Sequence, residues 1–220
     1  MEHRAFKSQI HEQFARIAKA IANPHRLEIL DLLAQAERSV EELASGTDLS
    51  IANASQHLQV LREVHLVESR KDGQHVYYRL TDPEVFRLLQ IIREVAVHQL
   101  AEVDRIVNTY LGNRQSLEPV TQNELLDRLG DPGLIVLDVR PTLEYRQGHI
   151  AGARTIPVDE LPSRLSELPL EQEIVAYCRG PYCVFADEAV EILTAQGYKA
   201  RRLTEGYPDW QIAGLPIQSL

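Results

Sequence analysis

Near residue 112 the hydrophobic rhythm of this 220-residue chain changes, from helical spacing with one short hairpin to an alternation of strand and helix. A change of that kind points to two domains of different class rather than one enlarged core. Between Leu111 and Val120 the rhythm lapses into Gly112-Asn113-Arg114-Gln115-Ser116-Leu117-Glu118-Pro119, with Gly at one end and Pro at the other. Residues 112–119 therefore read as a linker between domains at 1–111 and 120–220.

With 44% hydrophobic residues the chain has enough apolar surface to fold into globular domains. Met1-Glu2-His3-Arg4 runs straight into a polar-apolar pattern, and nowhere do some 18 apolar residues run together. The expected location is cytoplasmic, with no membrane partner. The net charge of −9 is shared, residues 1–112 holding 13 basic against 16 acidic side chains and residues 113–220 holding 10 against 16. Nucleic-acid binding must then come from a local patch, not the whole surface. Cys178 and Cys183 are the only cysteines, too few for a disulfide framework, so reactivity is their expected purpose.

In the first half, Phe6, Ile10, Phe14, Ile17 and Ile21 stand at helical spacing, and Asn23-Pro24 ends that helix and starts another. A short third helix follows Ser39, and Ser50 is a suitable N-cap for a fourth, whose Ala54, Leu58 and Leu61 face the core. The opposite face of that fourth helix carries Asn53, Ser55, Gln56, His57 and Gln59, side chains able to donate to and accept from base edges. Two strand-like runs flank Lys71-Asp72-Gly73-Gln74, an Asp-Gly hairpin signal. One long helix is expected from Pro83 to Leu111, its apolar stripe forming a dimer seam together with the first helix.

The segments Ala22-Asn23-Pro24-His25-Arg26 and Ser55-Gln56-His57-Leu58, followed by a Gly-centred wing, resemble the ArsR family of repressors over roughly residues 10–95. The resemblance implies a winged helix-turn-helix homodimer on a palindromic double-stranded operator. Arg70, Lys71 and His75 on the hairpin would then clamp phosphate beside the polar helix face. Metal sensing is not expected. The Ser39–Ala44 helix lacks a Cys-x-Cys pair, and the positions that could form an interface zinc site read Asp82, Glu84, Val95 and His98; valine ligates nothing. No cofactor is implied.

In the second half, Ile135–Arg140 and Glu173–Tyr177 read as buried strands, and helical patterns at Gln122–Leu129 and Val184–Gln196 surround them. The expected class is α/β with a mostly parallel sheet. Cys178 falls at a strand's carboxyl end, where such sheets place their sites. The loop Cys178-Arg179-Gly180-Pro181-Tyr182-Cys183 leads directly into a helix. Its backbone N–H groups are expected to favour a thiolate at Cys178, below the usual thiol pKa of roughly 8.5.

That loop, with Asp138-Val139-Arg140, Glu144-Tyr145, Gly148-His149-Ile150 and Gly206-Tyr207-Pro208-Asp209-Trp210, resembles a single-domain rhodanese from about Val120 to Ile217. The resemblance implies that Cys178 accepts sulfur as a persulfide, with Asp138 and Arg140 organising the domain. Gly180 stands one place early for a Cys-x-x-Gly loop, and Pro181 removes a backbone donor. Cys183 occupies a place where catalytic relatives often carry a cation, and could resolve a Cys178 persulfide or simply pack against a helix.

Three outputs remain open on the residues alone. The first is a repressor that senses sulfane sulfur, in thiosulfate, persulfide or polysulfide, through Cys178 and Cys183. The second is a thiosulfate:acceptor sulfurtransferase tethered to DNA, with Cys178 as nucleophile. The third is a non-covalent oxyanion sensor.

Overall fold

The computed structural model describes residues 2–112 and 119–220. The expected linker, apart from its two end residues, lies outside the described residues. The chain forms two compact units, Met1–Ile92 and Arg93–Leu220. Among the described residues no helix is long and apolar enough to cross a membrane.

The first unit runs α1 (Glu2–Ile21), α2 (Pro24–Gln35), β1 (Arg38–Ser39), α3 (Val40–Gly46), α4 (Ile51–Glu63), β2 (Val67–Asp72) and β3 (His75–Leu80), and continues into α5 (Pro83–Gln99). The local chemistry accounts for the helix starts. Asn23 accepts from the Arg26 N–H with Pro24 in the first turn, Ser39 and Glu42 form a capping box, and Ser50 accepts from the Asn53 N–H. The strands form an antiparallel sheet in the order β1-β3-β2. Asp72 pairs with His75, so the two-residue turn is Gly73-Gln74, one place later than an Asp-Gly turn. Gly73 sits at φ 60, a conformation that the first position of a primed hairpin turn demands and a side chain resists. Ile29, Leu30, Leu43, Ala54, Leu58 and Leu61 are fully buried and form the centre of the unit.

The single helix expected over 83–111 is two. Leu100 adopts an extended conformation between α5 and α6 (Ala101–Leu111). Val95 and Val97 weaken the helix just before the break. His98 in the last turn of α5 and Glu102 and Asp104 in the first turn of α6 suit a stop and a new start electrostatically. Phe6 and Phe14 of α1 are 63% and 65% exposed, so the first stripe expected at a dimer seam lacks cover; of the second, Val85 and Leu89 of α5 are buried and only the later Leu100 and Tyr110 are exposed.

The second unit continues with α7 (Gln122–Asp127), β4 (Leu134–Asp138), α8 (Thr142–Gln147), β5 (His149–Ile150), β6 (Arg154–Thr155), α9 (Leu161–Arg164), β7 (Glu173–Tyr177), α10 (Phe185–Ala195), β8 (Lys199–Arg202), α11 (Tyr207–Ile212) and β9 (Ile217–Gln218). Its main sheet is parallel, in the order β6-β4-β7-β8, and β5 pairs with β9 separately. Both faces are covered. Ile135, Leu137, Ile174 and Ala176 pack with α10 on one side, while Val136, Val175 and Tyr177 pack with Tyr207 and Trp210 on the other. Burial on both faces explains why these strands read as continuous apolar runs.

At the carboxyl end of β4, Asp138 and Arg140 are both fully buried. Arg140 donates from Nη2 to Asp138 at 2.6 Å and to the Gly148 carbonyl at 2.7 Å, and its backbone N–H donates to Asp138 at 3.0 Å. The Tyr177 hydroxyl donates to Asp138 at 2.6 Å and accepts from the Ile150 N–H at 3.1 Å. One polar cluster thus ties the ends of β4 and β7 to β5.

Removing one partner of such a pair leaves a buried charge uncompensated. Asp138→Asn is therefore expected to destabilise the second unit by about 3 kcal/mol, read by urea denaturation through Trp210, the single tryptophan and fully buried. Asn23→Ala, which removes the α2 cap, is expected to cost about 1 kcal/mol in the helical circular dichroism transition while leaving the Trp210 transition in place.

Candidate functional site

Cys178 follows directly on β7, and the chain reaches α10 within seven residues, Cys178 to Val184. The Cys183 N–H donates to the Gly180 carbonyl at 3.1 Å, so Gly180-Pro181-Tyr182-Cys183 is a β-turn with Pro at its second position, where a fixed φ is an advantage. This turn brings the second cysteine back to the first. Neither is in a disulfide, and their side chains are hydrogen-bonded. Tyr182 and Val184, at 43% and 47% exposure, form the outer rim of the loop.

The two thiols differ in a way the sequence does not reveal. Cys178 is only 3% exposed, and its sulfur lies 3.9 Å from the Gly180 carbonyl oxygen and 3.7 Å from that of Cys183. Burial, followed by its hydrogen bond to Cys183, pushes the Cys178 thiol well above its usual range, against the opposing pull of backbone groups at Gly180 and Ala186. Cys183 is partly exposed. The hydrogen bond from Cys178, then the backbone at Arg179 and Phe185 and the Arg179 charge, lower it to about 7 in spite of partial burial. The acidic sulfur is therefore Cys183, where a low pKa was expected at Cys178; the expectation allowed for the helix terminus but not for the depth of the strand end.

Arg179 does not lie solvated in the loop. It donates from Nε to Glu144 at 3.0 and 3.1 Å and from Nη2 at 2.6 Å, and its guanidinium lies 5.3 Å from the Phe185 ring centre. Glu144 is fully buried on α8, so the pair is charge-assisted and geometrically fixed. Gly206 is the second support. A Cβ there would stand 2.3 Å from the Arg179 carbonyl carbon and the Gly180 nitrogen, so only glycine admits this approach. Next to it the Tyr207 N–H donates to the Cys178 carbonyl at 3.1 Å, and Asp209 accepts from the Gly206 N–H at 2.9 Å. Glu144 and Gly206 stand in segments that carried the rhodanese resemblance, but nothing local assigns them these roles. Asp138 and Arg140 belong to the buried cluster at the adjacent strand ends.

In the first unit, Asn53, Ser55, Gln56 and Gln59 are exposed on α4, and His57 is half-buried. The His57 ring stands 5.7 Å from that of His25; desolvation first, then Arg26 and His25, lower its pKa and favour the neutral ring. Lys71 and His75 are exposed near the hairpin tip. Arg70 is exposed but engaged: it donates from Nε to Glu37 at 2.9 and 3.0 Å and from Nη2 at 2.7 Å, and from Nη1 to Asp72 at 3.0 Å. His75 Nδ1 is 3.9 Å from Glu41. Arg70 and His75 of the wing thus stand beside carboxylates.

Residues 121–213 match the rhodanese-like domain family, and residues 21–70 match a helix-turn-helix domain family. The HTH-type transcriptional regulator Rv0324 of Mycobacterium tuberculosis is 44% identical over 211 residues, 96% of this chain and 92% of that protein. A sulfurtransferase of Allochromatium vinosum is 33% identical over 100 residues, 44% of this chain and 92% of that protein. The homodimeric winged helix-turn-helix DNA-binding domain of Mycobacterium bovis Mb0332 is 45% identical, covering 43% of this chain and 87% of that one, with a TM-score of 0.40. This chain belongs to the family of HTH-type transcriptional regulators in which an ArsR-like helix-turn-helix domain is joined to a rhodanese-like domain.

Proposed function

We propose that this transcriptional regulator is a homodimeric, cytoplasmic repressor whose operator affinity is set by the sulfur state of Cys178 and Cys183. The observation that carries the reading is the pair of unbridged thiols at the strand end, buried Cys178 and the partly exposed Cys183 that the turn returns to it. A lone sulfur-carrying cysteine has no use for such a neighbour, whereas a pair can pass from persulfide to disulfide. On the DNA side, Asn53, Ser55, Gln56, His57 and Gln59 would read base edges in the major groove, and Lys71, His75 and Arg70 would contact phosphate. The exposed apolar side chains of α1, with Leu100 and those of α6, would be the surfaces for a second copy, which would match the two halves of a palindromic site. The coupling requires only that the reduced and oxidised loop states differ in operator affinity.

A second reading, favoured by the likeness to a sulfurtransferase, makes the rhodanese-like domain an enzyme that moves sulfur from thiosulfate to a thiol through Cys178 alone. Operator binding by fluorescence anisotropy at fixed salt, before and after polysulfide or thiosulfate, with intact mass on the same samples, separates the two. We expect added sulfur or a Cys178–Cys183 bridge to accompany a loss of affinity of about tenfold or more, and Cys183→Ser to abolish the response. Mass change without loss of affinity, or thiosulfate turnover that survives Cys183→Ser, would favour the enzyme and sink the regulatory reading. On the DNA side, Gln56→Ala is expected to cost about 1–3 kcal/mol and to relax preference at one base pair, measured against single-substituted operators.

A further inference from the structure

We infer that the mouth of the cysteine loop is built for an organic persulfide of low charge with an apolar body, and that it disfavours dianionic donors such as thiosulfate. The inference rests on the reading that this loop accepts sulfur, and it names the class of donor.

The cations are the first ground. Arg179 is the one basic residue of the loop, and the fully buried Glu144 holds its guanidinium through contacts of 2.6 to 3.1 Å. Also in the second unit, a Cβ on Gly180 would meet Asp209 Oδ2 at 3.8 Å and Arg93 Nη1 at 3.9 Å, so that guanidinium too has a carboxylate in its neighbourhood. The start of α10 is the second ground. A helix N-terminus attracts an anion, but the first turn of α10 carries its own, Asp187 and Glu188. Asp187 lies 3.3 Å from Arg202. Glu188 is exposed and follows Val184 by one turn, its N–H donating to the Val184 carbonyl at 3.0 Å. An exposed carboxylate therefore shares a face of the helix start with the exposed Val184. The excess of acidic over basic residues in 113–220 adds a repulsive field of the same sign.

The third ground is the backbone. Pro181 has no N–H, the Cys183 N–H is taken by the Gly180 carbonyl at 3.1 Å, and the carbonyl oxygens of Gly180 and Cys183 lie 3.9 and 3.7 Å from the Cys178 sulfur. The backbone groups at Gly180 and Ala186 that favour a Cys178 thiolate act on that sulfur itself. What the rim offers a donor is Tyr182 and Val184, both exposed, whose apolar surface an alkyl or aryl group would cover favourably. In the transfer the Cys178 thiolate attacks the outer sulfur of RS–SH. A Cys178–S bond forms, the donor's S–S bond breaks, and RS⁻ leaves and takes up a proton from solvent in place of the one Cys178 released. The products are a Cys178 persulfide and RSH, with no net oxidation.

The test uses the reduced full chain with benzyl persulfide, with the persulfide of mercaptosuccinate, which sets two carboxylates on the same reacting group, and with thiosulfate. Samples are quenched with an alkylating agent at set times and read by intact mass and peptide mapping. Each rate is divided by that of the same donor with N-acetylcysteine amide, which removes the donor's intrinsic reactivity. On that scale benzyl persulfide is expected to react about tenfold faster or more than either dianion, and added salt to narrow the ratio. Glu188→Gln and Val184→Lys are each expected to narrow it about threefold or more at low salt, and Val184→Gln, which changes shape without charge, by less. Trp210 fluorescence verifies that each variant is folded. Scaled rates of the two persulfides within about threefold of each other overturn the inference, as does a ratio indifferent to salt and to both changes of charge. Operator anisotropy on the same samples keeps the two claims apart. The expected donor preference with operator affinity unchanged overturns the regulatory reading and leaves this one standing. Operator release by all three donors alike does the reverse, and no sulfur gained from any donor overturns both.

Discussion

Arg140 and Asp138 bury opposite full charges at the carboxyl end of the parallel sheet, and the geometry around them satisfies both. Isolated, either ion would cost several kcal/mol to desolvate. Here the guanidinium meets the carboxylate and the Gly148 carbonyl, and Tyr177 supplies a further donor to Asp138. Because Tyr177 also accepts from the Ile150 N–H and directly precedes Cys178, this cluster fixes where β7 ends. The position of the first sulfur follows from it.

From that fixed end the loop is held on three sides. Glu144 grips Arg179 from α8, the Gly206–Tyr207 backbone lies against Cys178 and Arg179 from the start of α11, and the turn through Pro181 returns Cys183 to Cys178. Three separate parts of the chain thereby set one difference in acidity. The contrast between the thiols comes from depth and from the hydrogen bond between them, not from the helix terminus alone, since backbone groups of α10 approach both sulfurs.

Much of this was legible in the sequence wherever the governing physics is local. The caps at Asn23, Ser39 and Ser50, the glycine of the hairpin, and the apolar runs of β4 and β7 each announce themselves through neighbours a few residues away. The two-residue strands β5, β6 and β9 are too short to carry an alternation, and β8, Lys-Ala-Arg-Arg, reads as polar because it lies at the edge of the sheet. The interruption at Leu100 contains neither Gly nor Pro. Glu144 is 35 positions from Arg179, and Glu37 is 33 from Arg70. Contacts at that separation are made by the fold, so the sequence could nominate the cysteine loop but not say which sulfur is the more acidic.

The pairing of Arg70 with Glu37 and Asp72 gives the wing an unusual electrostatic starting point. The guanidinium already holds an anion in the forked geometry that a phosphate would use. A phosphate reaching Arg70 therefore displaces a carboxylate instead of filling a vacancy, and the energy of that contact is the difference between two similar unions. Exchange of this kind contributes little to binding strength at any one phosphate, so the proposed Arg70 contact would add less to affinity than a contact from a cation not already held by carboxylates.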